Sequence, residues 1–156
     1  MANRTEKKAV FIDGEFTITT KDVTEGASDN LTSFTTQALD YHSDLFRPGF
    51  HLICFKDKGL SSERRVVFTF GKANGDLTIS DYSETVDVGT FQQELRPHQF
   101  EIIDSKLTVE KTQISPNKHK FVVTAFKFTA KADLGDEARV VSGKGSFLVN
   151  EMTLPI

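Results

Sequence analysis

The residues of this chain best suited to chemistry are four histidines, one cysteine and a short polar stretch, Arg96-Pro97-His98-Gln99-Phe100. That stretch brings a cation, a titratable imidazole and an amide within five residues. His98 can act as a general base or an anion contact if it is buried beside a carboxylate, whereas an exposed loop histidine does neither. A barrel-type enzyme would use His98 with Arg96 and Glu101 at the mouth of the fold.

The remaining candidates are weaker. His51 and Cys54 are three apart, which on a strand sets them on opposite faces and prevents them from clasping one metal ion. His42 has Asp40 and Asp44 nearby, but not the i, i+4 histidine pair that a helical site needs. No Gly-x-Ser-x-Gly elbow is present. Gly143-Lys144-Gly145-Ser146 has only part of that elbow's composition, in a strand, and lacks the spacing of a phosphate loop. Cys54 sits in the most apolar run of the chain and is expected to be inert packing. Most acids, among them Asp13, Asp57, Asp76, Asp133 and Asp136, fall at turns, where local hydrogen bonding explains them. No catalytic residue, metal or cofactor is therefore assigned.

The elements that would position these groups read mostly as strands. Phe16 and Ile18 alternate with Glu15, Thr17 and Thr19, which is the pattern of a half-buried strand. Asp13-Gly14 before them is a hairpin-turn dipeptide, so residues 8 to 20 read as a hairpin. Val66, Phe68 and Phe70 form a second inward row, running to Asn74-Gly75 and a partner strand from Leu77. Phe50 to Lys56 is apolar on both faces and is expected to lie deep in the sheet.

The clearest long hairpin joins 107–114 to 121–131 through Ser115-Pro116-Asn117-Lys118. Phe126, Phe128 and Ala130 should face inward, with Lys127, Thr129 and Lys131 in water. On the last strand Val141, Gly143, Gly145, Phe147 and Val149 share one face. Glycines two apart on one face call for a bent strand with a ring laid over the gap, or for a ligand held against bare backbone. The apolar tail from Phe147 to Ile156 should pair into the sheet or cover a partner.

Helical spacing occurs twice. Leu31, Phe34, Ala38, Tyr41 and Leu45 recur at three and four residues, before Pro48-Gly49, and predict a helix over 35–46, with one long strand over 31–47 as the alternative. Thr90 and Gln93 have capping-box spacing ahead of Pro97, which predicts a short helix over 91–96. A mobile loop is expected at 25–30. Together the pattern is mainly β: an antiparallel β-barrel or β-sandwich of about eight to ten strands with one or two short helices, in a single domain over 1–156.

Composition narrows the function. The chain of 156 residues is 38% hydrophobic and 26% charged with a net charge of -3, and its basic residues are scattered. Nucleic acid and anionic membranes need a basic face, so neither is expected as a partner. No apolar run approaches the roughly 20 residues of a membrane span. A single cysteine excludes an internal disulfide, and the polar start lacks a secretory signal, so a cytoplasmic location is expected.

Fourteen Phe against two Tyr and no Trp put the aromatic mass in groups with no polar tip to satisfy. They form either a filled core or the lining of an apolar cavity. The leading expectation is a non-enzymatic binding or interaction module holding a small apolar ligand in a Phe-lined interior, with Phe68, Phe126, Phe128, Phe147, Arg96 and His98 as ligand-binding residues. The alternatives are a small barrel enzyme acting on a hydrophobic substrate, and an assembly subunit that associates with itself or a protein partner through its C-terminal strand and tail.

Overall fold

The computed structural model describes residues 7–24, 26, 31–43, 49–60, 63–73, 76–86 and 98–154. These form nine strands: β1 (Lys7–Asp22), β2 (Leu31–Thr36), β3 (Leu39–Ser43), β4 (Gly49–Lys56), β5 (Arg64–Ala73), β6 (Asp76–Val86), β7 (His98–Ser115), β8 (Lys118–Ala132) and β9 (Ala138–Leu154). They lie in one sheet, in the order β2-β1-β9-β8-β7-β6-β5-β4-β3, with antiparallel pairings throughout.

That order forces the sheet to curl. β2 and β3 stand at its two ends, yet only Gln37 and Ala38 separate them in sequence, and the three steps from Thr36 to Leu39 reach at most roughly 11 Å. The ends must therefore meet. The buried Thr36 hydroxyl clamps the corner, donating to the Phe55 carbonyl at 2.7 Å and accepting from the Ala38 amide at 3.0 Å. The Phe55 amide in turn donates to the Ala38 carbonyl at 3.0 Å. The result is a nearly closed antiparallel barrel. Between β6 and β7 the pairs among the described residues are Tyr82–Phe100, Ser83–Gln99 and Glu84–His98.

Strand alternation fills the interior. Phe16 and Ile18, Leu52 and Cys54, Phe68 and Phe70, Phe126, Phe128 and Ala130, and Val141, Phe147 and Val149 are all buried on the inward face. The two glycines of β9 do what a bent strand needs. A Cβ on Gly143 would come within 2.8 Å of the Phe126 ring, and one on Gly145 would strike the ring of Phe16. Phenyl groups therefore lie over both gaps.

Three expectations are corrected. Asp13-Gly14 is not a turn: both residues sit mid-strand in β1, opposite Leu148 and Phe147. β1 pairs with β9 from Lys7–Leu154 to Asp22–Arg139, and this long ladder outweighs the local turn preference. Gly14 is needed there because a Cβ would lie 2.5 Å from the Phe147 Cα. The helix over 35–46 is replaced by β2 and β3, residues 44–46 lying outside the described residues. Threonines favour extended backbone, and on the outer face Thr17 and Thr35 hydroxyls bond at 2.9 Å while Thr19 and Ser33 bond at 3.1 Å.

β4, the third correction, is next to the end of the sheet order rather than deep within it. Its outer apolar face has a local cover: the Phe55 ring lies beneath the Lys58 ammonium at 4.5 Å and the Arg65 guanidinium at 5.4 Å. The β7–β8 hairpin follows expectation, with Ser115 opposite Lys118. β5 and β6 flank Asn74-Gly75 through the Ala73–Asp76 pair. Asn74, Gly75, the short helix over 91–96 and, apart from Gly26, the loop at 25–30 lie outside the described residues. β9 carries the tail into the sheet as far as Leu154, bonded to β1 and, up to Asn150, also to β8. Among the described residues no helix is long and apolar enough to cross a membrane.

Candidate functional site

Followed toward one end of the barrel, the inward rows change character within one or two steps of alternation. On β1 the row Phe16, Ile18 continues as Thr20 and Asp22. On β9, Val141 is followed outward by Arg139. On β6, Tyr82 is followed by Glu84; on β5, Val66 by Arg64; on β4, Cys54 by Lys56. Thr20, Asp22, Lys56, Arg64, Glu84 and Arg139, with Phe34, Val66 and Tyr82, line a cavity of about 310 Å³ at this mouth.

Tyr82 forms its floor. The side chain is fully buried, with its ring 5.6 Å from Phe68, 5.2 Å from Phe128 and 5.4 Å from Phe100. Its hydroxyl donates to Glu84 Oε1 at 2.6 Å. Burial, then the neighbouring Glu84 carboxylate, hold the phenol well above its ordinary pKa. Tyr82 thus stays protonated and acts as a donor, not as a base or nucleophile.

Arg139 ties the rim together. Its guanidinium donates to Asp22 Oδ1 at 3.0 Å, Glu137 Oε2 at 3.1 Å and the Ala138 carbonyl at 3.1 Å, with Glu84 Oε1 3.6 Å from Nε. The same group lies 5.7 Å over the Phe100 ring. Asp22 is held below the usual carboxylate range, first by the Thr24 hydroxyl at 2.6 Å, then by the Thr24 amide, with Arg139 adding to the effect. Opposite this network the mouth is cationic. Arg65 is engaged twice by Glu63 Oε2, at 2.9 and 3.1 Å. Lys56 rests 6.0 Å over the Phe34 ring, and neither Lys56 nor Arg64 has a carboxylate partner among the described residues.

The residues singled out from sequence divide between core and mouth. Phe68, Phe126 and Phe128 come together in the interior, with ring centroids 5.2 Å apart for Phe68–Phe126 and 6.1 Å for Phe126–Phe128. Phe147 belongs to the same core further from the mouth, stacked on Phe121 at 4.9 Å. None of the four lines the mouth cavity. Arg96 and the side chain of His98 lie outside the described residues; the His98 backbone pairs with Glu84 at the mouth end. Glu101 is exposed, on the face opposite to the buried Phe100.

The mouth residues Asp22, Glu84, Arg139, Lys56 and Arg64 were not singled out. Their signal was present in the alternation itself, as charged residues on an inward row continued past its last apolar member. Cys54 is fully buried and its thiol is pushed up by burial, in keeping with inert packing. Among the described residues no three His, Cys, Asp or Glu side chains stand together as a metal site.

Fold and site together define a nearly closed β-barrel with an aromatic interior and a charged mouth cavity. Comparison of the chain with protein-family models, curated proteins and solved structures finds no match.

Proposed function

We propose that the protein is a non-enzymatic binding barrel that takes a small, largely apolar ligand at its mouth. The observation that carries this reading is the cavity of about 310 Å³, floored by Tyr82 and Val66 and walled by Phe34, at the end of a solid aromatic stack. This volume lies at the lower end of what small-molecule sites occupy, roughly 300–1,000 Å³. Phe68 and Phe128 support the floor from below, at 5.6 and 5.2 Å from Tyr82. In this reading the interior phenylalanines back the ligand, which rests on the stack rather than within it.

Binding is favoured over catalysis because, among the described residues, the acids and the phenol of the mouth are engaged with one another or with Arg139. Tyr82 is a bound donor, its carboxylate partner Glu84 lies beside Arg139, and Glu101 is on the outer face. A cytoplasmic setting suits the single, buried Cys54.

Native mass spectrometry of freshly purified protein, together with titration by 1-octanol, tests the reading. A co-purified adduct or saturable octanol binding is expected; Thr32 also lines the cavity, and Thr32→Trp, which places a bulky ring there, should abolish binding. A bare protein that binds no octanol, or binding that survives Thr32→Trp unchanged, would overturn the proposal.

A further inference from the structure

We infer that the ligand carries a compact anionic group, a carboxylate on an apolar body, held between Lys56 and Arg64. This inference rests on the mouth-binding reading and specifies its chemistry. Lys56 and Arg64 are direct cross-strand partners in the β4–β5 ladder, and both belong to the inward rows that line the cavity. Like charges directly opposite one another on a sheet repel and destabilise the pair. A carboxylate usually sits between such cations, yet among the described residues neither has one.

The nearby carboxylates have other partners. Glu84 accepts from Tyr82 and faces Arg139, Asp22 is bonded by Thr24 and Arg139, and Glu63 holds Arg65. The lining thus carries four cations, Lys56, Arg64, Arg65 and Arg139, against the two carboxylates Asp22 and Glu84. A single anion placed between Lys56 and Arg64 relieves their repulsion and gains two charge-assisted contacts. The apolar surface beside them sets what the anion is attached to. Phe34 lies under the Lys56 ammonium, and Val66 follows Arg64 on the same inward row of β5. The ligand's anionic end therefore faces β4 and β5 at the rim, with its apolar body over Val66 and Tyr82. The Arg139 network forms the opposite wall and stays intact.

Octanoate, 1-octanol and octylamine share a chain and differ in head group, so calorimetric titration with the three isolates the charge. Octanoate is expected to bind at least about tenfold tighter than octanol, octylamine more weakly than either, and only octanoate should raise the melting temperature strongly. Lys56→Met and Arg64→Met should each lower the ratio of octanoate to octanol affinity, and Arg64→Lys should retain most of it. Without ligand, Lys56→Met should melt no lower than the parent, since it removes a repulsion; this measurement separates loss of the site from loss of the fold. Equal binding of octanoate and octanol, or a preference that survives the Lys56→Met, Arg64→Met double variant, would overturn the anionic assignment and leave mouth binding standing. If none of the three binds, the mouth-binding reading falls with it.

Discussion

The interior of the barrel and its mouth are built on the same inward rows, yet they are held together by different physics. Around Phe16, Phe68 and Phe126 the contacts are ring against ring, at 5.9 Å for Phe16–Phe126 and 5.2 Å for Phe68–Phe126, with no polar atom to satisfy. A step or two of alternation nearer the mouth, Tyr82, Glu84, Asp22 and Arg139 form a hydrogen-bonded network in which each group depends on its partner's charge. The first arrangement is tolerant of pH and intolerant of lost volume. The second is the reverse, and this difference separates a scaffold from a place where something can bind.

The sharpest way to break the comparison is to empty the interior. Phe68 is fully buried and touches Phe16, Phe126, Phe128 and Tyr82. Phe68→Ala should cost about 3–5 kcal/mol in denaturant unfolding, with the same cost at pH 5 and pH 8. It should also weaken ligand binding, because the floor of the mouth loses its support. A loss below about 1 kcal/mol would mean that the aromatic stack is loosely filled.

At the mouth the larger test is Arg139→Met, which keeps the apolar stem over Phe100 and leaves Asp22, Glu84 and Glu137 without their shared cation. The expected cost is about 2–3 kcal/mol near neutral pH, since charge-assisted hydrogen bonds are worth roughly 1.5–3 kcal/mol each and the site is partly solvated. Here pH dependence is expected. Asp22 is held below its ordinary value of 3.8 in the folded chain, so its contribution is present above that value and is lost as pH falls through the lower folded pKa. Thr24 supplies most of that lowering and stays in the variant, so in acid the gap between parent and variant should narrow only by the share Arg139 adds. A gap that stays constant down to acid unfolding would show that Arg139 acts through packing alone.

The same contrast explains how much could be read in advance. The interior was legible because alternation specifies it locally: Phe126, Phe128 and Ala130 lie where period-two reasoning puts them. The glycine pair of β9 likewise announced the rings that cover it. Asp13-Gly14 misled because a dipeptide's turn preference is a few tenths of the story when sixteen residues pair with a strand more than a hundred positions away. The helical spacing of Leu31, Phe34, Ala38 and Tyr41 misled because it also fits two strands bent at Gln37-Ala38, and only barrel closure decides between them. At the mouth, alternation marks single charged residues on inward rows but not their grouping. Asp22, Lys56, Arg64, Glu84 and Arg139 come from five strands, and no local spacing links them until the sheet closes.

A smaller effect distinguishes the two halves of a single residue. Tyr82→Phe keeps the ring on Phe68, Phe100 and Phe128 and removes only the hydroxyl that donates to Glu84. About 1 kcal/mol of destabilisation is expected, because Arg139 remains to compensate the Glu84 charge. The structural cost should be confined to the mouth, leaving near-ultraviolet signals of the phenylalanine core unchanged. A loss as large as that of Phe68→Ala would mean that the hydroxyl anchors the interior as well.

At neutral pH the last comparison costs nothing, and only alkali reveals it. The chain has two tyrosines, Tyr41 and Tyr82. Tyr41 stacks on Phe50 at 5.0 Å, and burial followed by the nearby Glu151 carboxylate raises its phenol to about 12. Tyr82 is likewise held well above its ordinary value, by burial and by Glu84. In the unfolded chain both ionise near pH 10. A raised folded pKa favours the protonated fold, so this stabilisation is complete below about pH 10 and is lost as pH rises toward the folded values. Phenolate absorbance should therefore stay flat just above pH 10 and then rise for both tyrosines together as the barrel opens, in step with loss of far-ultraviolet strand signal. A non-cooperative rise worth one tyrosine near pH 10, remaining in Tyr82→Phe, would locate the open residue at Tyr41. If the rise vanished in that variant, water would already reach the Tyr82–Glu84 bond, and the dry aromatic interior would end one layer below the floor of the mouth.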